Sequence, residues 1–210
     1  MSDPTVDEVD ETIEVGRFTL VVRRPFEPEG LIDENRFETD EFLPYWADLW
    51  PSGLALARHV ADLELRGKSV LELGCGLGLP SFAAALAGAK VLATDWAPDG
   101  IELVRRNAAA NGANVVASVL DWFAPDAILP PTVDLVLAAD VLYEERNASP
   151  LLRLLTATVA PDGEALIADP GRRHAPAFFA RVEAAGWAVD HLPTATLPAG
   201  GIARLRRPVG

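Results

Sequence analysis

The stretch Val70-Leu71-Glu72-Leu73-Gly74-Cys75-Gly76-Leu77-Gly78 decides the fold class of this 210-residue chain. Ser69–Leu73 is a short apolar run of strand type, and the Ala-rich stretch Pro80–Ala87 after the glycines is typical of a helix. A strand that passes through a tight turn into a helix is the unit from which parallel α/β sheets are built. Because glycine has no Cβ and permits a positive φ, this turn also lets the backbone approach a ligand closely.

Strand and helix patterns alternate along the rest of the chain. The predicted strands are Lys90–Thr94 (ending in Asp95), Asn114–Leu120, Val133–Ala138, Glu164–Ala168, Trp187–His191 and Ile202–Arg206. The predicted helices are Pro98–Asn111, Ser149–Ala160 (ended by Pro161-Asp162-Gly163) and Ala175–Ala185. Continuous apolar runs mark strands buried on both faces, with helices on both sides of a mainly parallel sheet. We therefore expect a Rossmann-like α/β fold with a seven-stranded mixed sheet, whose last two strands form an antiparallel pair at one edge.

The N-terminal part of the chain has weaker patterns. Residues 1–16 are acidic and predict a solvated, frayed arm. Phe18–Val22 is a short β-type run, and Pro25–Asp40 is polar, which favours a loop or a hairpin.

Aromatic residues and two prolines crowd together in the next segment, Glu41–Gly53. Ser52 is placed to cap a helix that runs to about Leu63.

Since domains usually have roughly 100–200 residues, the length of the chain favours one domain. We divide the chain into an N-terminal arm with a hairpin or loop at residues 1–40 and one domain at residues 41–210.

The charge of the chain narrows the class of partner. Lys and Arg total 18 against 31 Asp and Glu, which gives a formal net charge of −13. Nucleic-acid binding normally needs a basic face that neutralises phosphates, so we expect no DNA or RNA substrate. An acidic surface favours cationic partners such as a lysine-bearing protein segment, although it also serves simply to keep a protein soluble.

The sequence also predicts a cytoplasmic protein without a metal. No apolar run reaches the roughly 20 residues that cross a bilayer, and Met1-Ser2-Asp3-Pro4 opens an acidic segment unlike a signal peptide. Cys75 is the single cysteine, and the three histidines (His59, His174 and His191) lack zinc-ligand spacing. We expect no membrane association and, since no predicted helix has a surplus apolar face, a monomer.

The spacing of the glycines separates two classes of ligand. Dinucleotide folds carry G-x-G-x-x-G, whereas Gly74, Gly76 and Gly78 give G-x-G-x-G. Glu72, two residues before the first glycine, would gain little beside a pyrophosphate. A carboxylate suits S-adenosylmethionine, which has no phosphate but carries an amino group and a sulfonium cation. We therefore favour this methyl donor over a nicotinamide dinucleotide.

Acidic and aromatic residues at the next two strand ends fit an adenosine. Asp95 lies about twenty residues after the glycine turn, where an acid can accept hydrogen bonds from both ribose hydroxyls, and Trp96 could cover the adenine face. Asp121 follows the next strand, where it can accept from the adenine amino group, and Trp122 supplies apolar surface. The alternatives are a helix N-terminal charge for Asp95 and a turn residue for Asp121.

With these residues the chain resembles class I S-adenosylmethionine-dependent methyltransferases, and more narrowly the family-16 seven-β-strand group of protein-lysine methyltransferases and nicotinamide N-methylase-like proteins. That group has an Asp-x-x-Tyr motif after strand four, here Asp140-Val141-Leu142-Tyr143, and an upstream element that here reads Trp50-Pro51-Ser52-Gly53. Pro44-Tyr45-Trp46-Ala47 and Asp169-Pro170-Gly171-Arg172 look like the branch that modifies the β subunit of electron transfer flavoprotein. The resemblance covers about residues 42–190.

The resemblance implies a role for each of these residues. Trp50 and the Glu72–Gly78 loop would hold the methionine part of S-adenosylmethionine. The remaining cofactor contacts would be Asp95, Trp96, Asp121, Trp122 and Ala139. Asp140 and Tyr143 would be catalytic and would line the acceptor side near the methyl group. Taken singly, Asp140 could instead be a helix cap and Tyr143 a core aromatic.

Three functions remain open on the sequence. In a protein-lysine N-methyltransferase, Asp140 or Glu144 would attract the ammonium and Tyr143 would orient the nitrogen. A small-molecule N-methyltransferase acting on a pyridine or an amine shares every cofactor residue. A closed aromatic pocket would favour the small molecule, and an open acidic groove would favour the peptide lysine. The third function is an adenosine-binding module without turnover, against which the intact Asp140 and Tyr143 argue.

Overall fold

The computed structural model of the protein describes residues 7–26, 45–124, 131–192 and 194–207. The strands among these residues are β1 (Glu8–Val15), β2 (Phe18–Pro25), β3 (Ser69–Leu73), β4 (Lys90–Asp95), β5 (Val115–Val119), β6 (Val133–Ala139), β7 (Val159–Asp169), β8 (Ala188–Leu192) and β9 (Gly201–Arg206). The helices are α1 (Pro51–Ala61), α2 (Leu79–Leu86), α3 (Pro98–Ala110), α4 (Ala148–Thr158) and α5 (Ala175–Ala184). Short 3-10 helices lie at Tyr45–Ala47 and Glu145–Asn147. From residue 27 on, the loop or hairpin predicted at Pro25–Asp40 lies outside the described residues.

Seven strands form one mixed sheet in the order β5-β4-β3-β6-β7-β9-β8. The first five are parallel to one another, whereas β9 runs antiparallel to both β7 and β8. This confirms the predicted Rossmann-like class and the antiparallel pair at one edge. The strand order reverses beside β3, which lies between β4 and β6. In open α/β sheets, ligands bind outside the carboxyl ends of the strands at such a point.

Apolar side chains cover both faces of this sheet. On one face, Leu56 of α1, Phe82 of α2 and Val104 of α3 belong to a single buried cluster. On the other face, Leu155 of α4 and Phe178 of α5 belong to a second cluster. Alternate side chains of β3 enter the two clusters, as expected for a strand buried on both sides. No helix in the described ranges is both long and apolar enough to cross a bilayer.

The prediction of a frayed arm is wrong for residues 8–15, which form β1. This strand pairs antiparallel with β2 from Glu8 opposite Pro25 to Val15 opposite Phe18. Ile13 and Val15 are buried in the same cluster as residues of α1 and α2, while Glu14 between them is exposed. The alternation of acidic and apolar residues therefore marks a half-buried strand, a signal that the high acidic content obscured.

Two further predictions fail locally. Ser52 does not cap α1 but lies fully buried inside it, because the helix already begins at Pro51, whose fixed φ suits the first helical position. The strand predicted at Glu164–Ala168 begins earlier, since Val133 of β6 pairs with Val159 before the register shifts and Leu135 pairs with Glu164. The Pro-Asp-Gly sequence therefore lies in an irregularity within β7 and not in front of it.

Candidate active site

A cavity of about 770 Å³ opens at the carboxyl ends of β3, β4, β5 and β6. This is the size of a small-molecule site. Ten residues predicted for the site line it: Trp50, Gly74, Gly76, Asp95, Trp96, Asp121, Trp122, Ala139, Asp140 and Tyr143. The strands end at the same edge of the sheet, which brings residues together that lie far apart in sequence.

Glu72 and Gly78, the other two predicted residues, lie beside a smaller adjoining cavity of about 40 Å³. The Glu72 side chain is buried, and its Oε2 accepts a 2.9 Å hydrogen bond from the backbone N–H of Ser81 and a further bond from the Ser81 hydroxyl. Burial raises the pKa of the Glu72 carboxyl to about 8, although the bonds from Ser81 act in the opposite direction. Glu72 thus supplies a hydrogen-bond acceptor for the backbone N–H of Ser81 in the first turn of α2. Gly78 has a φ of 84°, and a Cβ there would lie 2.8 Å from the Phe82 ring.

The turn that contains Gly74 and Gly76 lines the cavity, and a side chain at either position would contact neighbouring residues. We call this turn the glycine cradle. A Cβ on Gly74 would lie 3.0 Å from Val141 Cγ1 and 3.6 Å from the Trp122 ring. A Cβ on Gly76 would lie 3.4 Å from the backbone oxygen of Trp46. With both glycines in place, the backbone of the turn borders the cavity directly, which is the arrangement a closely held ligand requires.

Asp95 connects the end of β4 to this cradle. Its Oδ2 accepts a 2.9 Å hydrogen bond from the backbone N–H of Gly76, and its Oδ1 accepts a 3.1 Å bond from that of Ala97. Burial raises the pKa of this carboxyl, and the bonds from Gly76 and Ala97 oppose that shift. Carboxylate oxygens hold about two lone-pair sites each. Asp95 can therefore fix the turn and still accept from ligand hydroxyls.

One wall of the cavity follows the ends of β4 and β5. Asp121 Oδ1 accepts a 2.8 Å hydrogen bond from the backbone N–H of Phe123, so Asp121 is a turn residue as well as a residue of the cavity wall. Trp122 packs against the core beneath Gly74, while Trp96 is 38% exposed. The two rings offer apolar surface to a planar base.

Asp140, which the sequence predicted for the acceptor side, forms an ion pair that the sequence did not predict. Its Oδ1 accepts a 2.8 Å hydrogen bond from Nε of Arg172. The Arg172 guanidinium also lies 5.6 Å from the centre of the Trp50 ring, within cation–π range. Asp140 has a φ of 57°, which is uncommon for a residue other than glycine. Its backbone N–H donates to the Ala168 carbonyl at 2.9 Å, which holds this conformation in place.

The loop after β7 fixes Arg172. Asp169 Oδ1 accepts hydrogen bonds from the backbone N–H groups of Gly171 and Arg172, at 2.8 and 2.7 Å. The loop is pressed against the turn that leads into β9, since a Cβ on Gly200 would lie 2.0 Å from the Asp169 carbonyl oxygen. A Cβ on Gly171 would lie 2.5 Å from the Ala199 carbonyl oxygen. Because Gly171 and Gly200 have no side chains, the backbone of this loop packs directly against the backbone of the turn before β9.

Aromatic side chains surround the same part of the cavity. The Tyr45 ring packs edge-on against Tyr143, with centroids 5.5 Å apart, and against Trp50, with centroids 6.0 Å apart. Nε1 of Trp50 donates a 2.7 Å hydrogen bond to the Tyr45 carbonyl. Burial raises the pKa of the Tyr143 hydroxyl, which keeps its proton at neutral pH. Tyr45 and Trp46 line the cavity but were not predicted as site residues, although aromatic crowding had marked their segment.

The fold and the candidate site together define the class of protein to which the chain belongs. The T. Thermophilus 16S rRNA N2 G1207 methyltransferase, solved in complex with AdoMet and guanosine, aligns with a TM-score of 0.68 at 15% identity. The alignment covers 98% of this chain and 51% of that one. The architecture is that of class I methyltransferases. The profile of the lysine methyltransferase family (Methyltransf_16) matches residues 44–185, and the chain belongs to this family.

Two curated relatives have lysine methyltransferase names. The chain is 36% identical over 141 residues to "Electron transfer flavoprotein beta subunit lysine methyltransferase" of Mus musculus, an alignment that covers 61% of this chain and 51% of the relative. It is 34% identical over 143 residues to "EEF1A lysine methyltransferase 3" of Mus musculus, covering 65% and 61%. The chain thus spans about half to three fifths of the length of these relatives.

S-adenosylmethionine is the cofactor of this class, and the described residues fit it. The glycine cradle leaves room for a ligand against the backbone, and Asp95 retains acceptor capacity beside it. The aromatic rings of Trp96 and Trp122 line the same cavity. A buried carboxyl group such as that of Asp95 also suits a ligand that carries hydroxyl groups and no phosphate.

Proposed function

We propose that the protein transfers a methyl group from S-adenosylmethionine to the side-chain amine of a lysine in a protein substrate. One observation carries this proposal: the glycine cradle with Asp95 and the polar group of Asp140 and Tyr143 open into one cavity at the ends of neighbouring strands. A cavity that only bound an adenosine compound would need no second polar group beside it. The family and the two curated relatives support a lysine acceptor.

We assign the cofactor side to the residues around the cradle. Trp50 and the Glu72–Gly78 turn hold the methionine part, and Asp95 accepts from the ribose hydroxyls while its own oxygens fix Gly76. Asp121 accepts from the adenine amino group with the oxygen that Phe123 does not use. Ala139, Trp96 and Trp122 complete the apolar walls. When bound, S-adenosylmethionine supplies a methyl group whose S–C bond breaks as the N–C bond forms, leaving a neutral thioether.

The acceptor side has to align an amine and favour its neutral form. A lysine amine has an ordinary pKa of about 10.4 and attacks only after losing its proton. The rings of Tyr45, Trp50 and Tyr143 exclude water there, and desolvation disfavours the charged amine. The Tyr143 hydroxyl, protonated at neutral pH, can orient the nitrogen. Alignment and fixed dipoles then lower the barrier.

A small amine or pyridine is the second candidate acceptor. The edge-on contact between Tyr45 and Tyr143 favours it, because planar aromatic molecules pack well against such rings. This candidate uses the same cofactor residues and differs in the size of the molecule that reaches Asp140.

The first experiment is calorimetric titration of the full chain with S-adenosylmethionine and, separately, with NAD. We expect micromolar binding of S-adenosylmethionine alone. The chain is then incubated with radiolabelled methyl donor and three acceptors: a bacterial electron transfer flavoprotein β subunit, total lysate protein, and nicotinamide. Label on a lysine in the protein fractions supports the proposal. Label on nicotinamide alone selects the small-molecule candidate, and tight NAD binding without S-adenosylmethionine binding rejects both.

Variants at the acceptor side test the residue roles. Asp140→Asn and Tyr143→Phe should each lower the methylation rate at least about tenfold while leaving the dissociation constant of S-adenosylmethionine within about threefold. Arg173→Gln, which removes an exposed cation in the loop next to Arg172, serves as the control. Full turnover by Asp140→Asn with cofactor bound would remove Asp140 from the mechanism.

A further inference from the structure

Asp140 does not stand alone on the acceptor side of the cavity. Nε of Arg172 donates to its Oδ1 at 2.8 Å, and the Asp140 side chain is 6% exposed. The carboxylate assigned to the acceptor therefore already faces a full positive charge. We propose that Arg172 neutralises Asp140, so that the acceptor nitrogen enters as a neutral amine and is not held as an ammonium ion. This inference rests on the proposed function, which puts the acceptor beside Asp140.

Arg172 is held in this position from several sides. Asp169 fixes its backbone N–H, and Trp50 lies against its guanidinium at 5.6 Å. The hydrogen bond to Asp140 is the main cause of a pKa that lies above the ordinary arginine value, so the guanidinium stays charged. A cation whose backbone and guanidinium are both held in place keeps its position when a second cation approaches. The pair with Asp140 then persists in the working enzyme.

The other carboxylates of the cavity have donors of different kinds. Glu144 is paired with Arg146. Asp95 accepts from two backbone N–H groups, and Asp121 accepts from Phe123. Every carboxylate that lines the cavity thus already has a donor of its own among the described residues.

The pairing has a chemical consequence. An unpaired carboxylate in a half-buried cavity forms a strong charge-assisted hydrogen bond with an ammonium ion and so stabilises the unreactive, protonated acceptor. The paired carboxylate has close to zero net charge together with Arg172. It still has lone pairs that can accept an N–H of a neutral amine. Arg172 is therefore a positioning residue: it acts on the acceptor through Asp140.

Binding of two cofactor analogues tests this without knowledge of the acceptor. Sinefungin carries an ammonium group in place of the transferable methyl group, whereas S-adenosylhomocysteine carries nothing there. The ratio of their dissociation constants, measured by calorimetry at pH 7, reports how well the site receives a cation. In Arg172→Gln, Asp140 loses its partner, and we expect the preference for sinefungin to rise about tenfold or more. The double variant Arg172→Gln/Asp140→Asn should return the ratio to within about threefold of the unmodified protein.

Three further variants separate charge from structure. Arg172→Lys keeps the positive charge and should leave the ratio within about threefold, whereas Arg173→Gln, an exposed neighbour, should not change it. If Arg172→Gln does not fold, as judged by loss of its cooperative urea-unfolding transition, Arg172→Met, which is unbranched and uncharged, tests the same loss of charge. An unchanged ratio in the folded uncharged variant overturns the inference, and so does an equal weakening of both ligands. Neither result contradicts the proposed function. That function is rejected by a different result, in which S-adenosylmethionine binds but no lysine is methylated.

Discussion

Asn107 of α3 closes the outer edge of β2 at Arg23. Its Oδ1 accepts the Arg23 backbone N–H at 3.0 Å, and its Nδ2 donates to the Arg23 carbonyl at 2.9 Å. One turn later, Asn111 makes the same pair of bonds to Val21, at 2.8 and 2.7 Å. The carboxamides of Asn107 and Asn111 thus make hydrogen bonds to β2 that a neighbouring strand would otherwise make. They attach the hairpin to the helix layer and satisfy the outward backbone groups of Val21 and Arg23 at its edge.

Asn107→Ala should lower the free energy of unfolding by about 2–3 kcal/mol, because two backbone groups of Arg23 lose their partners at a buried position. Asn111→Ala, at a more exposed position, should lower it by about 1 kcal/mol. Urea unfolding of both variants measures the difference. Equal effects would show that the burial of Asn107 has no energetic importance.

Glu72→Gln should remove part of the pH dependence of stability. The folded-state pKa of Glu72 is about 8, above the ordinary value of 4.5, so the native protein keeps a proton that the unfolded chain releases. The stability this carboxyl contributes is complete below about pH 4.5 and is lost as the pH rises to about 8. Between these values the slope approaches about 1.4 kcal/mol per pH unit for one proton.

Urea unfolding at several pH values from 5 to 9 measures this slope. We expect Glu72→Gln to be less sensitive to pH than the unmodified protein and to gain relative stability toward pH 9. Asp95, whose pKa is also raised by burial, stays present in both proteins, so their difference isolates Glu72. Parallel stability curves for the two proteins would mean that Glu72 is ionised in the fold.

Gly100→Ala should weaken S-adenosylmethionine binding about fivefold. Alanine normally stabilises a helix by about 0.5–1 kcal/mol relative to glycine, but a Cβ on Gly100 would lie 3.1 Å from the Trp46 ring. That ring lines the cavity, so its displacement should change the shape of the ligand site and weaken binding. In a Trp46→Leu background the same change should leave affinity unaltered and raise the unfolding temperature. Calorimetry on the four proteins of this cycle decides between the outcomes.

Asp95→Asn should lower the affinity for S-adenosylmethionine at least about thirtyfold, since an amide cannot accept from Gly76, Ala97 and a ligand hydroxyl together. Asp134→Asn is the matched control. Asp134 lies at the opposite end of the sheet, where its carboxylate accepts from the backbone N–H and hydroxyl of Ser69. The control should lose stability and keep its affinity. A loss of affinity in both variants would indicate a general effect on the sheet.

Local patterns allowed most of the fold, and the grouping of residues from several strand ends at one cavity, to be predicted. Apolar runs mark buried strands, and the residue after each strand must lie at a common edge, so Gly74, Asp95 and Asp121 could be grouped without knowing any contact. The alternation that forms β1 was present in the sequence but lost among its acidic residues. Ser52 was wrongly assigned as a cap because Pro51 begins the helix one residue earlier.

The Asp140–Arg172 pair could not be predicted in this way. Its partners follow different strands, and their contact depends on the conformation of the loop that Asp169 fixes. The positive φ of Asp140 also has no signature in a sequence without glycine at that position. Tyr45 and Trp46 were visible as part of an aromatic segment, but the pattern did not say which ligand or which neighbour they face.

The turn before β9 carries a further consequence. Gly200 has no atom in the cavity, yet any side chain there must push against the Asp169 carbonyl and the Gly171 N–H, and so against the loop that presents Arg172. The conformation of the turn before β9 is thus tied to that of the loop that follows β7. In a deep mutational scan selected for methylation, Gly200 should tolerate as few replacements as the residues that line the cavity.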